Sequence, residues 1–363
     1  MKDLKIIVPN NFKEFGNKVN EHINRIRETN QNYLVKTNLV RFNNGEGKAV
    51  LEETIRDKDL YILSDISNYD ISYEFFNRKH YMSPDEHFQD IKRILSAECG
   101  HASKITLILP YLYESRQDKK DSRESLDCAV ALQEISRMGV NEIITCDVHN
   151  KGVMNAVPNL AFESVYLTGD LILSLLENEK DLNINNIASI APDSGAMDRA
   201  RFVSNVLGNG ALGYFYKQRD YTKLENGLHP IVDHRFLGPN LSGLDAIVVD
   251  DMIASGASIL DTAKNLKEQG VSKVYLMTTF ALFTSGIDKF DKYYEKGYFD
   301  RVYATNVSYV REEVKNREWF NSVDCSYKIA NIINHLNYGN SIDNLINDKE
   351  ETAVKVKRLR KDW

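Results

Sequence analysis

The stretch IVVDDMIASGAS, residues 247–258, ends an apolar run on two adjacent carboxylates, Asp250 and Asp251, and follows them with small side chains. In an open parallel sheet, ligands sit beyond the carboxyl ends of strands, where this acidic pair is expected. Two carboxylates there can accept hydrogen bonds from a vicinal diol such as the 2- and 3-hydroxyls of a ribose. Ser255, Gly256, Ala257 and Ser258 then lead into a helical pattern, so N-terminal amides and two hydroxyls can surround a phosphate. Carboxylates for a sugar and amides for its phosphate describe a phosphorylated pentose. Two plainer readings compete: an acidic metal pocket of receiver-domain type, and a simple strand-to-helix turn. A simple turn has no need of a Gly, two Ala and two Ser around an acidic pair.

Other segments carry groups suited to polyphosphate chemistry. PYLYESRQDKKD, residues 110–121, places Arg116, Gln117 and Asp118 past an apolar run. They supply a cation and hydrogen-bonding groups for a polyphosphate and a base, although such a charged run on its own reads as a solvated loop. His149 in ITCDVHN follows an apolar strand and, taken alone, reads first as a satisfied core histidine. Beside a polyphosphate it can coordinate magnesium or contact a phosphate. Asp193 ends IASIAPD, at a place suited to a magnesium ligand, directly or through water. Lys217 and Arg219 close ALGYFYKQR and precede a polar segment running to about Asp233. A loop of that kind can close over a substrate and bring two cations against transferring phosphates; the plain alternative is a surface loop. GNGALG, residues 208–213, satisfies G-x-G-x-x-G literally, but it follows a helical pattern and precedes a strand, so it reads as a helix stop.

The elements that must hold these groups follow from periodicity. Short apolar runs (LKIIV, LYILSD, KITLILP, EIITCD, then IASIAP, ALGYFYK, LDAIVVD, KVYLMTTFA, RVYAT) alternate with amphipathic stretches, the signature of βαβ units and a mainly parallel sheet flanked by helices. SLDCAVALQEISRMG and SILDTAKNLKEQG each open on a Ser that could cap a helix and close on Gly. Strand, polar loop, helix, Gly and strand recur at 107–147 and 247–280, which predicts two similar α/β domains, 1–158 and 159–325. Residues 326–363 are expected as a C-terminal helix and charged tail, solvated or frayed at its end.

Composition bounds the reading. The 363 residues are long for one core. A net charge of −6 argues against gripping nucleic acid through bulk electrostatics. No apolar run has the length of a membrane span and no signal-peptide core opens the chain, which predicts a cytoplasmic protein without membrane partners. Cys99, Cys128, Cys146 and Cys325 are scattered, with no metal-finger spacing, and are expected as buried thiols.

These segments, in this order, resemble the ribose-phosphate diphosphokinase family. IVVDDMIASGAS is similar to the phosphoribosyl-diphosphate-binding loop that the family shares with type I phosphoribosyltransferases. PYLYESRQDKKD resembles its ATP-site segment, ITCDVHN its metal-site segment and APDSGAMDRARFVSNVLG its Pro-Asp segment. YFYKQR resembles the strand into its flexible catalytic loop, and VRFNNGEGKAVLEETIRDKDLYIL its N-terminal Phe-x-x-Gly-Glu hairpin. The likeness runs from about residue 35 to about residue 335. It implies two type I phosphoribosyltransferase-like domains and the reaction of ATP with ribose 5-phosphate, giving 5-phosphoribosyl 1-diphosphate and AMP with magnesium as cofactor. By the same resemblance, Phe42, Asn44 and Glu46 would form an adenine pocket completed across a subunit boundary. Arg116, Gln117 and Asp118 would hold ATP. His149 and Asp193 would organise metal and phosphates, Lys217, Arg219 and His149 would serve catalysis, and Asp250, Asp251 and Ser255 to Ser258 would anchor the sugar phosphate. A homo-oligomer of stacked dimers, up to a hexamer, is implied.

Departures from the family pattern leave two further readings. The family loop normally reads Asp-Asp-x-Ile-Asp-Thr, whereas Ala254 stands here in place of the third acid, and Ser255, Ala257 and Ser258 replace Thr, Gly and Thr. The segment 67–95 is also longer than the family pattern. A catalytically weak or silent regulatory relative is favoured by Ala254 and opposed by Lys217 and Arg219. A phosphoribosyltransferase consuming phosphoribosyl diphosphate would need only the acidic loop and not the N-terminal segments.

Overall fold

The computed structural model describes residues 2–208, 210–219 and 231–361, without the side chains of 217–219, 231–234, 360 and 361. In chain order the elements are β1 (Leu4–Ile7), α1 (Lys13–Arg27), β2 (Thr37–Arg41), β3 (Gly47–Leu51), β4 (Asp59–Leu63), β5 (Ser72–Phe75), β6 (Arg78–Tyr81), α2 (Pro84–Glu98), β7 (Lys104–Ile108), α3 (Asp127–Arg137), β8 (Glu142–Cys146) and β9 (Ala161–Val165). There follow α4 (Thr168–Asn178), β10 (Ile187–Ala191), α5 (Met197–Leu207), β11 (Leu212–Arg219), β12 (Ile231–Leu237), β13 (Asp245–Ile253), α6 (Ala257–Glu268), β14 (Val274–Ala281) and α7 (Asp288–Glu295). The last are β15 (Arg301–Thr305), α8 (Glu312–Lys315), β16 (Phe320–Val323), α9 (Ser326–Tyr338), α10 (Asp343–Ile346) and α11 (Lys349–Lys361).

Packing divides these elements into two α/β units. The first comprises 1–166 with 306–309 and 324–347. Its sheet, ordered β1-β4-β7-β8-β9, is parallel throughout. Every residue of β4 and β8 is buried, as a strand covered on both faces requires. Two antiparallel hairpins, β2–β3 and β5–β6, stand apart from that sheet. The sequence expectation ended this domain at residue 158. Packing carries it to Tyr166, because β9 pairs with β8, and returns α9 to it, because α9 packs on α1.

The second unit comprises 167–305, 310–323 and 348–363. Among the described residues its sheet runs β12-β11-β10-β13-β14-β15-β16, parallel except for the β11–β12 pair. Its core is rich in aromatic rings, with Phe283, Phe290, Phe299 and Trp319 in mutual contact.

Several local expectations need correction. Neither α3 nor α6 has a Ser at its capping position: the residue before α3 is Leu126, and α6 is entered from Gly256 in the left-handed region. Gly208 is the left-handed stop of α5, so GNGALG does terminate a helix. The C-terminal tail is not solvated all round, since α11 buries Thr352 and Val356 and packs on α4 and α5. Cys128, Cys146 and Cys325 are buried thiols, but Cys99 is exposed at the end of α2. No helix among the described residues is long and apolar enough to cross a membrane.

Candidate active site

In the second unit, β13 runs beyond the residues it pairs with in β10. The β10 pairing ends at Ile190 opposite Val248, while β14 continues alongside β13 to Ile253. Asp250 and Asp251 therefore lie inside β13 yet past the carboxyl end of its neighbour β10, and that notch is where the chain of β10 turns through Asp193. The sequence placed the acidic pair at a strand end; it is the adjacent strand that ends there.

Asp251 is buried, Asp250 partly so, and the Asp251 amide donates to Asp250 Oδ1 at 2.9 Å. Burial, then the neighbouring charges of Asp251 and Asp193, push the Asp250 carboxyl well above the usual range, against the pull of Arg199. Arg199, on α5, sets Nη2 3.8 Å from Asp251 Oδ2 with its side chain nearly buried. In APDSGAMDRARFVSNVLG nothing local sets Arg199 apart from Arg201. Asp193 spends Oδ1 on the amides of Gly195 (2.9 Å) and Ala196 (3.3 Å), a cap for the short turn before α5. Among the described residues no group of three His, Cys, Asp or Glu side chains is arranged to hold a metal ion. Asp193 and His149 belong to different packing units.

The loop after β13 leads directly into the N-terminus of α6. Gly256 has φ 75°, and a Cβ there would meet the Phe290 ring at 2.3 Å, so only glycine permits this approach. The Leu260 amide closes the first helical bond to the Gly256 carbonyl. Gly256 supplies no side-chain cap to α6, the Ala257 amide donates to Ser255 Oγ at 3.4 Å, and no acidic residue stands in the first turn. Such a helix end presents its positive pole and leading amides to an anion. Ser255, Ala257 and Ser258 are exposed there. The carbonyls of Ile253 and Ala254 accept amides of 282–284, which fixes the loop to the chain leaving β14.

Lys217 and Arg219 fall in the last residues of β11, and their side chains lie outside the described residues, as do 220–230.

In the first unit, β7 and β8 are parallel neighbours, so the segments that follow them leave from the same edge of the sheet. Arg116 is exposed, Asp118 half-buried. Gln117 turns its side-chain amide onto its own loop, donating to the carbonyls of Ser125 (2.8 Å) and Lys119 (3.3 Å). His149 is exposed beyond β8, after Asp147 bends the chain with φ 37°. Phe42, Asn44 and Glu46 occupy the β2–β3 turn. Asn44 Nδ2 donates to Glu46 Oε2 at 2.8 Å, and the Phe42 ring is 46% exposed, available to stack on a planar group. The turn and the 116–118 loop share one support, since α2 holds Arg41 through Asp90 (2.8 Å) and Tyr113 through Asp85 (2.8 Å) and a stacked Phe88.

Comparison with known proteins agrees in both halves. Residues 4–139 match the family model described as the N-terminal domain of ribose phosphate pyrophosphokinase, and residues 165–317 match the phosphoribosyl transferase domain. A ribose-phosphate pyrophosphokinase of Pasteurella multocida is 26% identical over 80% of this chain and 82% of that protein. One of Haemophilus influenzae is 24% identical over 96% of this chain and all of that protein. The crystal structure of phosphoribosylpyrophosphate synthetase from Mycobacterium smegmatis shares the fold, with a TM-score of 0.76 at 20% identity over 93% of this chain and all of that one. With both halves matched in order and relatives aligned along most of their length, the chain belongs to the ribose-phosphate pyrophosphokinase family.

Proposed function

We propose that this chain transfers the β,γ-diphosphoryl group of Mg-ATP to the 1-hydroxyl of ribose 5-phosphate, giving 5-phosphoribosyl 1-diphosphate and AMP. The observation that carries this reading is the pairing, within ten residues of one strand and helix, of a carboxylate pair for a diol and a helix N-terminus without acidic side chains for a phosphate. The sugar phosphate would lie with its 5-phosphate on the amides and hydroxyls of 255–258. Its 2- and 3-hydroxyls would donate to Asp250 and Asp251. Those donors would compensate the burial, and then the neighbouring charges, that raise Asp250.

With the sugar fixed at both ends, its 1-hydroxyl is held for in-line attack on the β-phosphorus, and AMP leaves with the electron pair. Such transfer depends mainly on positioning and charge stabilisation. Lys217 and Arg219 would neutralise charge on the transferring phosphates, and Arg116 and Asp118 would contact the nucleotide with the Phe42 turn. Gln117 would keep that loop in shape. Magnesium, when bound, would shield the phosphate oxygens from the attacking hydroxyl. Asp193, with one carboxylate oxygen left after capping, fits as its protein ligand, the remaining positions falling to phosphate oxygens and water, while exposed His149 of the first unit would contact phosphate. A homo-oligomer completing the adenine pocket belongs to the same proposal.

AMP release from ATP with and without ribose 5-phosphate, in magnesium and phosphate buffer, tests the reading. Ribose-5-phosphate-dependent AMP that collapses in Lys217→Ala supports it. Folded protein that releases none sinks it in favour of a silent relative, the reading Ala254 favours, and Ala254→Asp is then the variant that should restore turnover.

A further inference from the structure

We propose that the β5–β6 hairpin is a positioning device for the β2–β3 turn, with Phe75 as its positioning residue for nucleotide binding; this rests on the reading of Phe42, Asn44 and Glu46 as the adenine-contacting turn. The two hairpins meet tip to tip. The Phe76 amide donates to the Asn43 carbonyl at 3.0 Å. The Phe75 ring lies against Gly45, where an added Cβ would stand 2.7 Å from its edge. Gly45 has φ 90°, so this turn is both glycine-dependent and filled from below by an aromatic ring.

The hairpin that supplies the ring is itself tied to α2. Glu86, which closes the capping box of α2 with Ser83, also accepts from the Tyr73 hydroxyl at 2.7 Å and pairs with His80 Nε2 at 2.8 Å. Phe75 packs edgewise on Tyr73 and Phe76. Arg41, the last residue before the turn, pairs with Asp90 and lies over the Tyr73 ring at 5.4 Å. An unbroken run of contacts thus leads from a helix through Glu86, Tyr73 and Phe75 to Gly45, between Asn44 and Glu46.

The hairpin also keeps a conformation that folding alone disfavours. Phe76 and Asn77 at its tip have φ 46° and 58°. A left-handed Asn is ordinary, but a left-handed Phe is a rare and strained choice. The Phe76 ring stays 68% exposed, so burial does not compensate the strain. What the conformation achieves is to aim the Phe76 amide at Asn43.

The test is ATP affinity by equilibrium dialysis with magnesium, on the full chain and on Phe42→Ala, Phe75→Ala, Phe75→Leu and Tyr81→Ser, alongside KM and kcat. Phe75→Ala is expected to weaken ATP binding about tenfold and raise KM for ATP, with KM for ribose 5-phosphate and kcat little changed. Phe75→Leu, which refills the space under Gly45, should recover most of the affinity, and exposed Tyr81→Ser should retain it. If Phe42→Ala weakens ATP while Phe75→Ala does not, the inference fails and the reading of the turn stands. If Phe42→Ala leaves ATP binding intact, that reading fails and takes the inference with it. Parallel loss of both KM values, kcat and melting temperature in Phe75→Ala would mark a merely structural ring and also overturn the proposal.

Discussion

Gly256→Ala isolates the claim that the 255–258 loop is shaped for a phosphate rather than being an ordinary turn. At φ 75° an L-residue costs roughly 1–2 kcal/mol for the left-handed conformation alone. The new Cβ would also stand 2.3 Å from Cε2 and 2.5 Å from Cζ of Phe290. Phe290 is fully buried between Phe283, Phe299 and Trp319 and has no free space to retreat into. Overpacking of this kind typically costs about 1–3 kcal/mol. Kept in its native shape the loop would lose the sum, roughly 2–5 kcal/mol. The softer route is for residues 254–258 to shift, which moves the leading amides of α6 away from the phosphate. Urea unfolding is therefore expected to report about 2 kcal/mol or more of lost stability, and steady-state kinetics at least a tenfold rise in KM for ribose 5-phosphate. Because the two causes are separable, Gly256→Ala combined with Phe290→Leu should be more stable than the sum of the single losses by about 1–3 kcal/mol, the overlap share, while the dihedral share persists. Native stability and unchanged KM in Gly256→Ala would refute the argument, and additive losses in the double variant would refute its steric half.

Arg199→Met removes the cation beside Asp251 and should raise the Asp250 carboxyl further, so the ionised form that accepts the diol is lost at higher pH. The acid limb of kcat/KM for ribose 5-phosphate then moves to more alkaline pH, and an unmoved limb would show that Arg199 does not tune the pair. Asp324 precedes α9; burial pushes its carboxyl up, but Ser326, Asn306 and Lys18 outweigh this and hold it at about 2. Because the folded value lies below the ordinary one, its stabilisation is present above about pH 4 and disappears as pH falls through about 2. Asp324→Asn should cost about 1 kcal/mol at pH 7, allowing for solvent screening of a half-exposed group, and much less near pH 2. Equal urea midpoint shifts at the two pH values would contradict this. Ser83→Ala breaks the capping box of α2 and should cost about 1 kcal/mol in thermal or urea unfolding; no loss would mean that the Glu86 contacts alone hold that helix end.

The interior strands were legible because burial on both faces writes them as near-continuous apolar runs, as in LYIL of β4 and IVV of β13. Of the edge strands, β1 was read as LKIIV, but β9 and β16 were not legible. β9 (AFESV) and β16 (FNSV) are covered less completely, alternate with polar residues and pass for loops. The β5–β6 hairpin was opaque for a different reason: RKHY carries no apolar signal, and its pairing is fixed by Glu86 and by the β2–β3 turn, contacts that no local pattern records. The placement of α9 with the first unit depends on packing against α1, more than 300 residues earlier in the chain, which lies beyond any periodicity.

At the proposed site, the sequence singles out residues by their neighbours along the chain and does not separate Arg199, whose placement is tertiary. MDRARFVSNVL carries two arginines two positions apart, some 200° around the helix. Arg199 is nearly buried beside Asp251, whereas Arg201 is exposed and pairs with Asp198. Only the placement of α5 against β13 separates them. The same geometry limits what Ala254 can mean. Its carbonyl accepts the Thr284 amide, so the backbone of the loop is held without any acid at this position. The first turn of α6 carries no negative charge to compete with an anion. On the proposed reading, Ala in place of the third acid would leave the phosphate half of the site intact and withdraw charge only from the sugar half. Asp250 and Asp251 would then carry the diol alone, which would place the burden of orienting the attacking hydroxyl on the pair beside Arg199.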